Sequence, residues 1–150
     1  MIGAKLLVAR HGQPSRRIGE YGLSLEGREE VRKQAQELAF ELGNEAISMA
    51  VHASPARRTF DTGILFAEAF KLPPESVVTE NCLDSDRVWP DQEEILERVR
   101  AIGQQAVTCA LIVAHAPEVA WLARLDHDSE PPYGQVFEIN IDAVQAGPEW

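Results

Sequence analysis

Lys5-Leu6-Leu7-Val8-Ala9-Arg10-His11-Gly12-Gln13-Pro14 is the stretch from which the rest of the chain can be read. Leu6 to Ala9 form a short apolar run of strand character that breaks at Arg10-His11-Gly12, just ahead of a proline. A buried strand therefore ends in a charged tripeptide. In open α/β sheets ligands bind beyond the carboxyl ends of the strands, which is where Arg10 and His11 would stand. Gly12 would let the backbone turn there and approach a ligand closely.

Two other stretches break in the same way. Met49-Ala50-Val51-His52-Ala53 is strand-like and stops at Ser54-Pro55, and Cys109-Ala110-Leu111-Ile112-Val113-Ala114 stops at His115, before Ala116-Pro117. Helical periodicities lie between these runs. Ser24 is a plausible cap for a helix with Glu26, Glu29 and Glu30 in its early turns and Val31, Ala35, Leu38, Ala39 and Leu42 on one face, ended by Gly43-Asn44. A second helix is expected with Ser54 as cap and Pro55 as first helical residue, running through Phe60, Ile64, Ala67 and Phe70 and stopping before Pro73-Pro74.

A third helix begins near Pro90, with Asp91, Glu93 and Glu94 at its start and Ile95, Val99, Ile102 and Ala106 on one face. A short fourth runs from Pro117 through Leu122. Glu75 to Thr79 reads as a strand leading into the acidic segment 80–86, and Gln135 to Ile141 alternates as an edge strand would. The expectation is a single α/β domain over residues 1–150, with a mostly parallel central sheet of about five strands and helices on both faces.

Composition narrows the function. The 150 residues are 45% hydrophobic and 25% charged, as in a soluble globular protein; no apolar run approaches membrane-spanning length, and the N-terminus lacks a secretory pattern. A cytoplasmic location is expected. Cys82 and Cys109 are too far apart for a metal or redox motif. His127, in Asp126-His127-Asp128, reads as solvated rather than as a metal ligand, and His52, inside a strand, reads as structural. The net charge of −10 argues against nucleic acid and against an acidic membrane. Yet Arg10, Arg16, Arg17, Arg57 and Arg58 account for five of the 14 basic residues, and a local basic site in an acidic body points to a small anion.

Arg57 and Arg58 sit in the opening turn of their helix, the wrong end for positive charge unless an anion binds there, where helix amides and a forked guanidinium could share it. If the three strands are parallel, Arg10-His11, Ser54 with Arg58, and His115 all emerge at one edge of the sheet. Arginines bind phosphoryl oxygens, and a histidine between them can attack phosphorus or donate a hydrogen bond.

With these residues in view, the sequence resembles the histidine phosphatase superfamily that includes the phosphoglycerate mutases. Arg10-His11-Gly12 looks like its signature, and Leu23-Ser24-Leu25-Glu26-Gly27 resembles its Leu-Thr-x-x-Gly helix start. Ser54-Pro55-Ala56-Arg57-Arg58 with Thr62 resembles its Ser-Pro-x-x-Arg-x-x-x-Thr element, and Val113-Ala114-His115 is similar to its second histidine site. The resemblance implies a phosphoglycerate mutase-like fold and a phosphatase acting through a phosphohistidine on His11. It implies that Arg10 and Arg58, rather than Arg57, hold phosphoryl oxygens together with His115, and it implies no metal or other cofactor.

Two departures bear on the chemistry. Larger members carry an acid in a Leu-x-Glu element after the third strand and a covering insertion there, whereas this chain is short in that region and offers Asp84 or Asp86. Ala-Pro after His115 is closer to the compact bacterial branch similar to protein phosphohistidine phosphatases. The expected substrate is accordingly a phosphorylated protein, for instance a phosphohistidine, or a small phosphorylated metabolite. The alternative from another class is a phosphate-dependent binding or regulatory module that retains the anion pocket without turnover.

Overall fold

A computed structural model describes residues 5–17, 22–84, 90–106, 109–126 and 129–146, with the backbone alone at residue 47. In chain order the elements are β1 (Lys5–Arg10), α1 (Leu25–Leu42), β2 (Met49–Ala53), α2 (Arg57–Ala69), β3 (Val78–Thr79), α3 (Gln92–Gln105), β4 (Cys109–Ala114), α4 (Ala116–Leu122) and β5 (Val136–Ile139). The five strands form one sheet in the order β3-β2-β4-β1-β5. Every neighbouring pair is parallel except β1 with β5, which closes one edge antiparallel. This is the mostly parallel α/β sheet expected from the alternating elements.

The period of two along the strands divides the core between the two faces of the sheet. Leu7, Ala9, Val51, Ala53, Leu111 and Val113 pack with Val31 and Ala35 of α1 and Leu65 and Phe66 of α2. Leu6, Val8, Ala110, Ile112 and Ala114 pack on the other face with Ile95, Val99 and Ile102 of α3 and Val119 and Leu122 of α4. All six residues of β4 are buried, as in a central strand covered on both sides.

Local signals place two helix starts. The Ser24 side chain accepts from Gly27 N–H, and that of Asp91 accepts from Glu94 N–H. The start of α2 corrects the expected Ser54-Pro55 cap. Its first helical residue is Arg57 and its cap is Ala56, with no side-chain capping bond; the Ser54 hydroxyl lies ahead of the helix, where it meets His115 Nε2 at 3.0 Å and accepts from Ala56 N–H at 3.4 Å. The strand expected over 75–79 is also shorter. Pro74–Ser76 form a tight 3₁₀ turn, and only Val78–Thr79 pair, at the exposed edge of the sheet.

His52 is structural, as expected from its position inside a strand. Its Nδ1 lies 2.7 Å from Glu80 Oε2, and Arg98 of α3 grips the same carboxylate with Nε at 2.7 Å and Nη2 at 2.9 Å. Burial pushes the Glu80 carboxyl up, but the hydrogen bonds from Arg98 and His52 outweigh it, and the net direction is down. A depressed carboxyl contributes stability that is complete above the ordinary glutamate range and lost as pH falls through its folded value.

Glu80→Ala leaves a buried histidine and the Arg98 fork without their carboxylate. It is expected to cost about 3 kcal/mol, or about 6–12 °C in Tm at neutral pH. The mutant should also lose much of the wild-type decline in Tm between neutral pH and pH 3. A Tm within 2 °C or so of wild type at neutral pH would show that the network contributes little.

Candidate active site

The parallel register brings the predicted groups to one edge. Arg10 stands opposite Ala114 and Ala53 opposite Val113, so the residues that follow these strands leave the sheet side by side. His11 N–H donates to Ala114 C=O and Ser54 N–H to Val113 C=O, both at 3.1 Å. The strand ends are thereby tied one residue beyond the ladder, at the positions of His11, Ser54 and His115.

His11 is buried, with Nδ1 2.7 Å from the carbonyl oxygen of Gly12. A carbonyl can only accept, so Nδ1 carries the proton and Nε2 keeps its lone pair. Arg58 Nε donates to that nitrogen at 3.3 Å, while Arg58 Nη2 lies 3.2 Å from Nδ1 of His115. Because a guanidinium has no acceptor, His115 Nδ1 accepts here, and its Nε2–H donates to Ser54 Oγ at 3.0 Å. One arginine thus bridges two imidazoles whose centroids are 5.7 Å apart.

Burial lowers the His11 pKa to about 4. The bond to Gly12 works in the opposite sense, and the guanidinium charges of Arg58 and Arg10, with the neighbouring His115, reinforce burial. His11 is therefore neutral at any pH well above 4, with its Nε2 lone pair turned to Arg58 Nε. A neutral imidazole beside fixed guanidinium groups is suited to attack on phosphorus, since the cations stabilise the phosphoryl oxygens without protonating the nucleophile.

Arg58 is set in place by Thr62, one turn along α2. Gly12 N–H donates to Thr62 Oγ1 at 2.9 Å, and Thr62 Oγ1 donates to Arg58 C=O at 2.7 Å. Gly12 has no room for a side chain, because a Cβ there would lie 2.5 Å from Val31 Cγ2 of α1. Arg57, by contrast, is exposed and pairs with Asp61 at 3.3 Å, one turn along the same helix.

Arg10 is held from a distant part of the chain. Its Nη1 donates to Pro131 C=O at 2.8 Å, its Nη2 meets Glu130 Oε1 at 3.2 Å, and its Cζ lies 4.1 Å from the centroid of the Tyr133 ring. Its Nε is buried and has no partner among the described residues. The Tyr133 ring also lies 5.9 Å from that of His11. Tyr133, Pro131 and Glu130 carry no local signal of this role, since they sit in a polar segment about 120 residues from Arg10.

Of the two candidate acids, Asp84 is buried just after the 3₁₀ turn Asn81–Leu83. The backbone before it is tied to the end of β2 by Glu80 N–H donating to Ala53 C=O at 2.8 Å, so it leaves the sheet at the same edge. Asp86 and His127 lie outside the described residues. A cleft of about 680 Å³ is lined by Gln13, Arg16, Arg17, Ser24, Glu26 and Arg28 among others. Gln13, the first of these residues, follows His11 by two positions.

Among the described residues no helix is long and apolar enough to cross a membrane. No protein-family model matches the sequence, and no curated protein sequence matches it. Solved structures do match in three dimensions. SixA from Agrobacterium tumefaciens superposes with a TM-score of 0.67 at 18% identity, over 91% of this chain and 90% of that one. The protein histidine phosphatase SixA in complex with tungstate gives 0.62 at 20% identity, over 86% and 81%. The mycobacterial glucosyl-3-phosphoglycerate phosphatase gives 0.60 at 16% identity, over 90% and 89%. At these identities the likeness establishes architecture: the chain has the phosphoglycerate mutase-like fold of these phosphatases.

Proposed function

We propose that this chain is a phosphatase that acts through a phosphohistidine on His11. The observation that carries the reading is the neutral His11 imidazole, its Nε2 lone pair turned to the same arginine that reaches His115. In the first step Nε2 attacks phosphorus, the bond from phosphorus to the leaving group breaks, and the leaving group takes a proton. Water then attacks the phosphohistidine, releasing inorganic phosphate and returning neutral His11. Arg10 and Arg58 hold phosphoryl oxygens. His115, 3.2 Å from the Arg58 guanidinium, donates to the phosphoryl group as its charge redistributes.

The substrate is a phosphohistidine protein or a small phosphomonoester. The structural neighbours include both a protein histidine phosphatase and a phosphatase of a sugar-linked phosphoglycerate. The deciding assay sets a phosphohistidine protein beside a panel of phosphomonoesters. A protein that binds inorganic phosphate but turns over neither class would overturn the reading in favour of a binding module.

The same assay bears on the proton donor, which we assign to Asp84, with Asp86 as the other candidate. An alkoxide leaving group needs a proton more than an imidazole does. Asp84→Asn is therefore expected to slow phosphomonoester hydrolysis by about 10²-fold while slowing phosphohistidine hydrolysis far less. If neither Asp84→Asn nor Asp86→Asn changes the ratio of the two rates, the proton comes from His115 or water.

A further inference from the structure

Tyr133 lies in the segment leading into β5, beside the edge that carries the histidines. Arg10 Cζ lies over its ring, 4.1 Å from the centroid, and the His11 ring is tilted toward it at 40° with centroids 5.9 Å apart. The backbone beside it is fixed from two directions. Gly134 N–H donates to the carbonyls of both Arg10 and His11, at 3.1 and 3.2 Å, and Gln34 of α1 donates to Tyr133 C=O at 3.4 Å. Gly134 has φ of 72°, a left-handed turn that favours glycine and sends the chain into β5 just after the ring is placed.

We propose that Tyr133 is a positioning residue for the Arg10–His11 pair, its ring face backing the Arg10 guanidinium and its bulk shielding the His11 imidazole from water. A rigid aromatic ring is suited to both tasks. Its quadrupole attracts the guanidinium, and its two side-chain torsions cost little entropy to hold. The Glu130 contact is a weaker restraint, because that side chain is 74% exposed and such ion pairs contribute little.

The shielding has a titratable consequence. His11 is faced by Arg10 from β1, Arg58 from α2, His115 beyond β4, and the Tyr133 ring, with Glu130 reaching Arg10. Burial is the largest cause of its low pKa, so a smaller residue at 133 admits water and lets the pKa rise from about 4 toward its ordinary 6.5. The cations that remain keep it below that limit.

The test compares Tyr133→Ala, Tyr133→Leu and Tyr133→Phe by NMR titration of His11 and by aryl phosphate hydrolysis. The titration stands alone; the kinetic arm rests on the phosphatase reading. Tyr133→Ala is expected to raise the His11 pKa by at least one unit and to lower kcat/KM about five- to thirty-fold. Tyr133→Phe should retain both wild-type values. Tyr133→Leu should retain the His11 pKa but not the kcat/KM, since it fills space without a ring face. Glu130→Ala should change kcat/KM less than about threefold.

A His11 pKa unmoved in Tyr133→Ala, or a Phe variant as impaired as the Ala variant, overturns the proposal. Should Tyr133→Ala fail to fold, a Leu variant with wild-type kcat/KM overturns it equally. Absence of hydrolysis in the wild type would refute the phosphatase reading and leave the titration to decide the shielding.

Discussion

His11→Ala is expected to abolish turnover, lowering kcat by about 10⁴-fold or more, with the fold intact. The size follows from the proposed chemistry, in which the His11 imidazole is the group that forms the covalent bond. Rapid acid-free quench of the wild type with an aryl phosphate should trap a phosphoenzyme that decays in acid, as a phosphorus–nitrogen bond does. The variant should form none. A variant that retains more than a tenth of wild-type turnover would remove His11 from the reaction, whatever the geometry around it.

The second large effect is expected at Arg58. Arg58→Ala removes the guanidinium proposed to hold phosphoryl oxygens and also the link between His11 Nε2 and His115 Nδ1, so kcat/KM should fall about 10³-fold. The pH profile should move as well. His11 must be neutral to attack, so activity is lost as pH falls through its pKa of about 4. The Arg58 charge helps to hold that value down, and without it the acid limb of kcat/KM should shift to higher pH. Arg58→Lys restores a charge but not the fork that spans two rings, and should recover the pH profile better than the rate. Arg57→Ala is the control, since Arg57 turns to Asp61. Equal losses at positions 57 and 58 would contradict the assignment.

These expectations explain why an arginine pair opens α2 at the end of a helix where positive charge is unfavourable. Only one of the two is used at the site. Successive helical residues diverge by about 100°, so Arg58 points to the histidines while Arg57 faces along the surface to the next turn. The cost is small beside the electrostatic stabilisation asked of Arg58.

Local chemistry made much of the architecture legible from sequence. The apolar runs of β1, β2 and β4, the Ser24 and Asp91 caps and the Gly43 end of α1 depend on residues within a few positions of one another. The convergence of Arg10-His11, Arg58 and His115 followed from the same reading, because parallel strands joined through helices must present their carboxyl ends together.

What tertiary structure alone decided depends on contacts between distant parts of the chain. Ser54 before a proline has the sequence signature of a cap, but α2 begins at Arg57, and the Ser54 hydroxyl meets a histidine 61 residues away as well as Ala56 N–H. Glu80 could be read only as part of an acidic segment until β2 and α3 packed around it and placed His52 and Arg98 on one carboxylate. Tyr133 and Pro131 reach Arg10 because β5 pairs antiparallel with β1, which folds the segment before β5 back over the strand end that carries the site. Periodicity and caps report how a residue meets its own helix or strand; which side chain from another element fills the remaining valence is fixed by packing.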